Sequence, residues 1–327
     1  MSLTADPSSV AVNVTVATPP RAARGTGLDR AFEILCFSAA TFLLTALGGL
    51  VVSLVIGGWP ALSKFGFGFF ISAEWDPVAE VYGAAGAVVG TVVSAGLALL
   101  LALPLAFGIA IFLVELCPPI LRRAIGTAVE LLAGIPSIVY GMWGLFVFAP
   151  WFAQHVQIPL MTSAKPGSLL EKLTAGIPNG AGIFTASLIL AIMILPFIAA
   201  TMRELLLSIP PAVRESAYGL GSTTFEVITK VSLPYIRTGA IGAVMLGLGR
   251  ALGETMAVTF VIGNAHGFPT SLFAPGSTIA STIANEFTEA TGDLHIAALI
   301  SLGLVLFVIT FVVLAMARLL IGRQQNL

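Results

Sequence analysis

The sequence predicts an all-α polytopic membrane protein with six transmembrane helices and both termini in the cytoplasm. Three observations predict it. Hydrophobic residues make up 57% of the 327 positions and charged residues only 9%, whereas a soluble domain averages about 25% charged residues. No soluble core absorbs that much apolar surface. Several apolar runs exceed the roughly 18 residues that mark a candidate bilayer-spanning helix. The lysines and arginines, finally, gather on alternate connections between those runs, as their retention on the cytoplasmic side requires.

Hydropathy places the spans at about 31–57, 85–115, 125–152, 182–206, 239–263 and 294–321. An even number returns both termini to one side. Arg21, Arg24, Arg30, Arg122, Arg123, Arg203, Arg214, Lys230, Arg237, Arg318 and Arg323 lie at the termini and the even-numbered connections, against Lys64, Lys165 and Lys172 at the odd-numbered ones. Hydropathy and charge are independent signals, so the asymmetry supports the helix count as well as the orientation. Residues 1–28, rich in Ser, Thr, Pro and Gly, lack a basic start followed by an apolar core. They predict a mobile cytoplasmic tail rather than a cleaved signal, with residues 29–327 forming the membrane domain.

The first span is an anchor. After it, residues 58–84 carry Trp59, Phe69, Phe70, Trp75 and Tyr82, as expected for a segment at the outer bilayer interface; the competing reading is a docking surface for an outside partner. Pro104, Pro136 and Pro196 interrupt the second, third and fourth spans and predict kinks that neighbouring helices tolerate. Small residues recur four apart at Gly86, Gly90 and Ser94 and again at Gly249 and Gly253, where another helix could approach closely.

The fifth span contains GLGRALGETMAV, residues 247–258. At about 1.5 Å per residue from Gly239, Arg250 lies roughly 16 Å deep and Glu254 roughly 22 Å, near the midplane of a core about 30 Å thick. Each charge costs about 2.5 to 3.5 kcal/mol at that depth. Four residues apart, the two share a helix face and can offset part of that cost by pairing. One reading is a lock between helices, with Glu130 as a third partner; the other is a path for an anion that the Arg250 guanidinium attracts.

Net charge is −1, which gives no reason to expect nucleic acid as a partner. Cys36 and Cys117, with His155, His266 and His295, show no disulfide framework or metal-ligand spacing. No nucleophile and base recur at helical spacing, so an intramembrane enzyme is disfavoured. The chain also lacks a GxxxxGK[ST] phosphate loop, so nucleotide chemistry would belong to another polypeptide.

Residues 208–237, SIPPAVRESAYGLGSTTFEVITKVSLPYIR, are too polar for a span and too well punctuated for a linker. Pro210 and Pro211 open a short helix, Gly219 and Gly221 end it, Thr223 and Glu226 form a capping box for a second helix, and Pro234 stops that helix. Within it Glu215, Ser216 and Ala217, then three residues, Gly221, nine residues, Val231, Ser232, Leu233 and Pro234 resemble the EAA loop of ABC importer permeases. That pattern reads Glu-Ala-Ala, three, Gly, nine, Ile, any, Leu, Pro, so Ser216 and Val231 are its departures. GIPSIVYG (134–141), GRALGETMAV (249–258), WDP (75–77) and ANEF (284–287) are together similar to the PstC-type permease family of bacterial phosphate importers.

The resemblance implies a type I ABC importer permease fold in the bacterial inner membrane and half of a pathway for inorganic phosphate. It also implies a PstA-like sibling permease as heterodimer partner, two copies of a cytoplasmic ABC ATPase that uses ATP and Mg, and an extracytoplasmic phosphate-binding protein. No cofactor is expected on this chain. Glu215 to Pro234 would then dock the ATPase, and Arg250 and Glu254 would line the substrate path. A permease for sulfate or molybdate, or an ion-coupled secondary transporter using Arg250 and Glu254 as a relay, are the alternatives.

Overall fold

A computed structural model describes residues 27–324; the predicted tail, but for its last two positions, lies outside the described residues. The chain divides into two units at Val52 and Ser53. The described part of the first is the beginning of α1 (Gly27–Phe65), a continuous apolar helix with exposed side chains such as Phe32, Leu35 and Phe42. The remaining elements belong to the second unit.

Helix α1 runs past the predicted end of its span because its last turns have something to pack on. Gly58 and Ala61 are buried, and a Cβ on Gly58 would sit 2.7 Å from the Ser301 hydroxyl oxygen. Ser301 Oγ instead donates to the Gly58 carbonyl at 3.0 Å. The following aromatic segment packs partly on protein. It folds into an antiparallel hairpin of β1 (Trp75–Asp76) and β2 (Val81–Tyr82), turned by Asp76, whose Oδ1 accepts from the Val78 and Ala79 amides at 2.8 and 3.2 Å. Trp59 and Phe70 are exposed as an interface residue would be, but Phe69, Trp75 and Tyr82 are buried in protein.

The centre of the unit is the contact between α2 (Ala85–Ile111) and α5 (Ile183–Leu207). Ala95, Ala98, Ala102, Ala106 and Ala110 form a fully buried stripe three or four residues apart. Side chains that short let Ile189, Leu190, Ile194 and Ile198 of α5 fill the space between the helices. Both helices run through their prolines, Pro104 and Pro196. The small residues Gly86 and Gly90 do permit a close approach, yet what approaches is loop backbone and not a helix: a Cβ on Gly90 would be 2.0 Å from the Ser277 carbonyl oxygen, and one on Gly86 2.5 Å from that of Gly267. Thr91 Oγ1 fastens the same loop by accepting the Ile279 amide at 2.9 Å. Gly90→Val is therefore expected to lower the thermal midpoint of the detergent-purified protein, by the equivalent of about 1–3 kcal/mol if the overlap is met by local shifts. Gly96→Val is the control, since nothing lies within 4 Å of its Cβ position; equal midpoints for the two would contradict the packing.

The third predicted span is bent. Helix α3 (Pro119–Ala133) ends at Gly134, and after Pro136 the chain resumes as α4 (Ser137–Trp143), continued by short α and π turns to Ser163; the two legs diverge by 88°. Pro136 has no N–H to give the preceding turn and pushes Ile135 out of helical geometry. Tyr140 Oη closes the gap by donating to the Leu132 carbonyl at 2.9 Å. Among the described residues five helices are long and apolar enough to cross a membrane, and the bent pair brings the number to six.

After α5 come α6 (Pro211–Gly219), a turn, and a helical run from Thr224 through a π segment, Val227–Ser232, into α7 (Leu233–Leu252). Pro234 does not stop the second helix as expected. It occupies the first turn of α7, and the wider π turns ahead of it absorb the amide that proline cannot supply. The fifth span, expected to be continuous to residue 263, instead ends at Leu252, and α8 (Met256–Val261) begins after a break. A loop, the short α9 (Ile279–Glu286) and the long α10 (Asp293–Gln324) complete the fold.

Candidate functional site

The break at Gly253, Glu254 and Thr255 changes the expected relation of the two buried charges. Had the helix continued, Arg250 and Glu254 would share a face. Instead the backbone turns away after Leu252, and Glu254 Oε1 accepts the amide of Ala257 at 3.1 Å, in the manner of a helix cap. Among the described residues no ion pair joins Arg250 to Glu254, and Glu130 pairs with Arg203 at 2.6 Å rather than with Arg250.

Arg250 occupies the last turn of α7, where the helix dipole favours a cation. Its guanidinium lies over the ring of Phe197 on α5, 5.8 Å from the centroid. Its Nε is buried and has no hydrogen-bond partner among the described residues. Gly253 and Met256 at the break are exposed, and only the helix's own Gly249 carbonyl comes near a Cβ at Gly253, at 3.7 Å. Non-helical backbone at bilayer depth is tolerated where protein buries it or water reaches it, not against lipid. The close packing expected at Gly249 and Gly253 occurs earlier on α7: a Cβ on Gly247 would meet Ile198 at 2.7 Å, and one on Gly239 would meet Leu205 at 2.6 Å, both on α5.

The 208–237 segment folds as its punctuation predicts up to residue 226. Glu215 and Ser216 lie on the exposed side of α6, while Val213, Arg214 and Ala217 are half-buried. Gly221 has φ of +86°, a left-handed turn that glycine adopts without strain. Thr223 and Glu226 complete the capping box, the Thr223 amide donating to Glu226 Oε2 at 3.1 Å. At the tip, Leu220 is 87% and Phe225 74% exposed. Val231, Leu233 and Pro234 do not join that tip. They lie on the helical run leading into α7, where Leu233 packs against the core.

One cluster escaped the sequence reading. His266 and His295, which looked scattered, converge on Glu286. Its Oε2 accepts from Trp75 Nε1 at 2.7 Å and lies 2.9 Å from His295 Nε2, and its Oε1 is 3.0 Å from His266 Nε2. Burial pushes the Glu286 carboxyl up, but hydrogen bonds from His266, Trp75 and His295 outweigh it and hold the group below its ordinary value. Trp75 and Glu286 belong to WDP and ANEF, so two motifs distant in sequence are one structural joint. That pairing of motifs was the available signal.

A bent span, a second span broken beside Arg250 and a polar hairpin with an uncovered apolar tip mark a polytopic membrane protein of the transport permease class, as its relatives show. The chain belongs to the family of binding-protein-dependent transport system inner membrane components, whose family model matches residues 104–326. It is 56% identical to the phosphate transport system permease protein PstC of Mesorhizobium japonicum over 90% of each chain. It is 57% identical to the protein of that name from Pasteurella multocida, over 88% of this chain and 89% of the other. In fold it is similar to a chain of a bacterial ABC transporter involved in the import of the acidic polysaccharide alginate, with a TM-score of 0.55 at 20% identity, covering 89% of this chain and 98% of that one.

Proposed function

We propose that the chain is the permease subunit that, with a sibling permease, forms the pathway of an ATP-driven inorganic phosphate importer. The observation that carries this reading is Arg250, an intramembrane guanidinium whose buried Nε has no hydrogen-bond partner and on which no carboxylate lies, among the described residues. The high identity to phosphate permeases supports phosphate as the cargo. A dianion meets a steep barrier in a low-dielectric core, and a fixed cation whose planar fork matches two phosphate oxygens lowers it. Glu254 Oε1 accepts the Ala257 amide and no ion pair closes Glu254 onto Arg250 among the described residues, so in this reading the guanidinium is open to the anion and the glutamate's charge keeps the anion from being held too firmly.

The hairpin containing Glu215, Ser216, Ala217 and Gly221 lies in the cytoplasm in this reading and docks one of two ABC ATPase subunits. Leu220 and Phe225 support the assignment, because apolar side chains so exposed on a polar segment mark a contact surface. The hairpin of β1 and β2 and the Glu286 joint face the phosphate-binding protein on the opposite side. ATP and Mg act on the ATPase, and alternating access carries phosphate past Arg250. The test is reconstitution in lipid vesicles with a PstA-like sibling permease, the ATPase and the binding protein, followed by uptake of phosphate, sulfate and molybdate. ATP-dependent uptake of phosphate above the other oxyanions is expected. Uptake of sulfate or molybdate in its place would reassign the cargo, and gradient-driven uptake without ATPase would remove the importer class.

A further inference from the structure

The hairpin is tied to the membrane helices by an ion pair buried at their ends. Glu115, in the π turn Phe112–Leu116 that finishes α2, has a side chain only 8% exposed. Arg214 on α6 is 18% exposed, and its Nη1 lies 3.3 Å from Glu115 Oε1. Through Nη2 the same guanidinium donates to the carbonyl of Leu206 in the last turn of α5. One side chain thus joins three elements: the hairpin, the end of α2 and the end of α5. Its neighbour Val213 packs against the membrane core, whereas Glu215, next in sequence, is exposed. Adjacent residues of α6 therefore face the two bodies that have to be coupled.

Helix α5 continues from this joint to the arginine site. Leu206, which accepts from Arg214, and Phe197, which lies under Arg250, belong to the same uninterrupted helix. Ile198, beside Phe197, fills the notch at Gly247 of α7. A displacement of α6 toward or away from the membrane reaches Phe197 and Gly247 along one helix. Apolar contacts alone would hold α6 in place at least as firmly as a buried pair, because desolvation offsets most of an ion pair's attraction. What the pair adds is direction. Glu115 Oε1 and Arg214 Nε lack well-aligned hydrogen-bond partners, so the joint has bonding capacity left for a second arrangement.

From this geometry we infer that Glu115 and Arg214 are positioning residues that transmit ATPase-driven motion of the hairpin through α5 to the Arg250 site. The inference rests on the reading of residues 208–237 as the coupling loop. Its test uses the complete importer in vesicles and measures ATPase retention on purification, ATP hydrolysis and uptake of inorganic phosphate. Glu115→Gln and Arg214→Lys are expected to retain the ATPase, while phosphate moved per ATP hydrolysed falls about tenfold or more. The doubly apolar variant Glu115→Met with Arg214→Leu keeps the packing and is expected to be uncoupled as well. A wild-type transport ratio in that double variant, or loss of the ATPase from both single variants, would reduce the pair to a structural anchor and overturn the inference. Glu215→Lys separates the two readings: if it disturbs the ATPase while Glu115→Gln transports normally, the coupling loop stands and only the transmission role falls. If Glu215→Lys leaves the ATPase attached and responsive, the coupling-loop reading falls, and the transmission inference falls with it.

Discussion

Arg250→Gln is expected to abolish most phosphate uptake while the importer still assembles. Glutamine keeps a polar side chain of similar reach but removes the charge and the two-pronged donor. Hydrogen bonds to a charged group contribute about 1.5–3 kcal/mol each, so losing one in the transition across the bilayer slows uptake about ten- to a hundredfold. Arg250 has no ion-pair partner in its own chain among the described residues, so its removal strands no carboxylate and assembly is preserved. Uptake in vesicles containing the assembled complex is the measurement, with subunit stoichiometry checked on the same sample. Normal uptake would remove Arg250 from the path. Exchanging the charges, Arg250→Glu with Glu254→Arg, is expected to stay inactive. The new arginine would occupy the break and the new glutamate the substrate's place; restored uptake would favour a lock between helices.

The second large effect is expected at the hairpin. Gly221 sits at φ of +86° with nothing within 4 Å of its Cβ position, so Gly221→Val meets no neighbour and acts through the backbone alone. A left-handed conformation costs a β-branched residue about 1–2 kcal/mol or more, enough to shift the turn and re-aim the exposed Leu220 beside it. Glu215→Lys leaves the turn intact and reverses a charge on the exposed side of α6. Both variants are expected to reduce the ATPase that co-purifies with the permease by severalfold, and to lose stimulation of hydrolysis by loaded binding protein. Wild-type values for both properties would show that the ATPase docks elsewhere.

Much of this architecture was legible because hydropathy and charge act over long windows. The apolar runs at about 31–57, 85–115, 182–206 and 294–321 are helical while those at 125–152 and 239–263 are each interrupted, and α6, its glycine turn and the Thr223–Glu226 capping box follow from short-range chemistry that the residues display directly. Features that depend on a single backbone turn were not legible. Gly253 and Thr255 are too mild in composition to announce the break, so Arg250 and Glu254 looked like a four-apart pair. Glu254 proved to serve a backbone amide, a partner with no signature in sequence. The 88° bend had a better signal in Gly134 and Pro136, but hydropathy averaged over it. The joint at Glu286 brings together the β-hairpin, the loop holding His266, α9 and the start of α10, and only tertiary structure could unite them.

The seating of the 263–278 loop on α2 has a mechanical consequence. Gly86 and Gly90 leave no space between α2 and the loop backbone, Thr91 pins the start of α9, and Glu286 gathers the hairpin and α10 onto the same block. These contacts join the loop, the β-hairpin, α9 and the start of α10 into one packed block, a capstone on the end of α2. Along the chain, this block is joined to α7 by α8, Ile262 and the bend formed by Gly253, Glu254 and Thr255. Arg250 thus stands beside the non-helical step that separates α7 from α8 and this block.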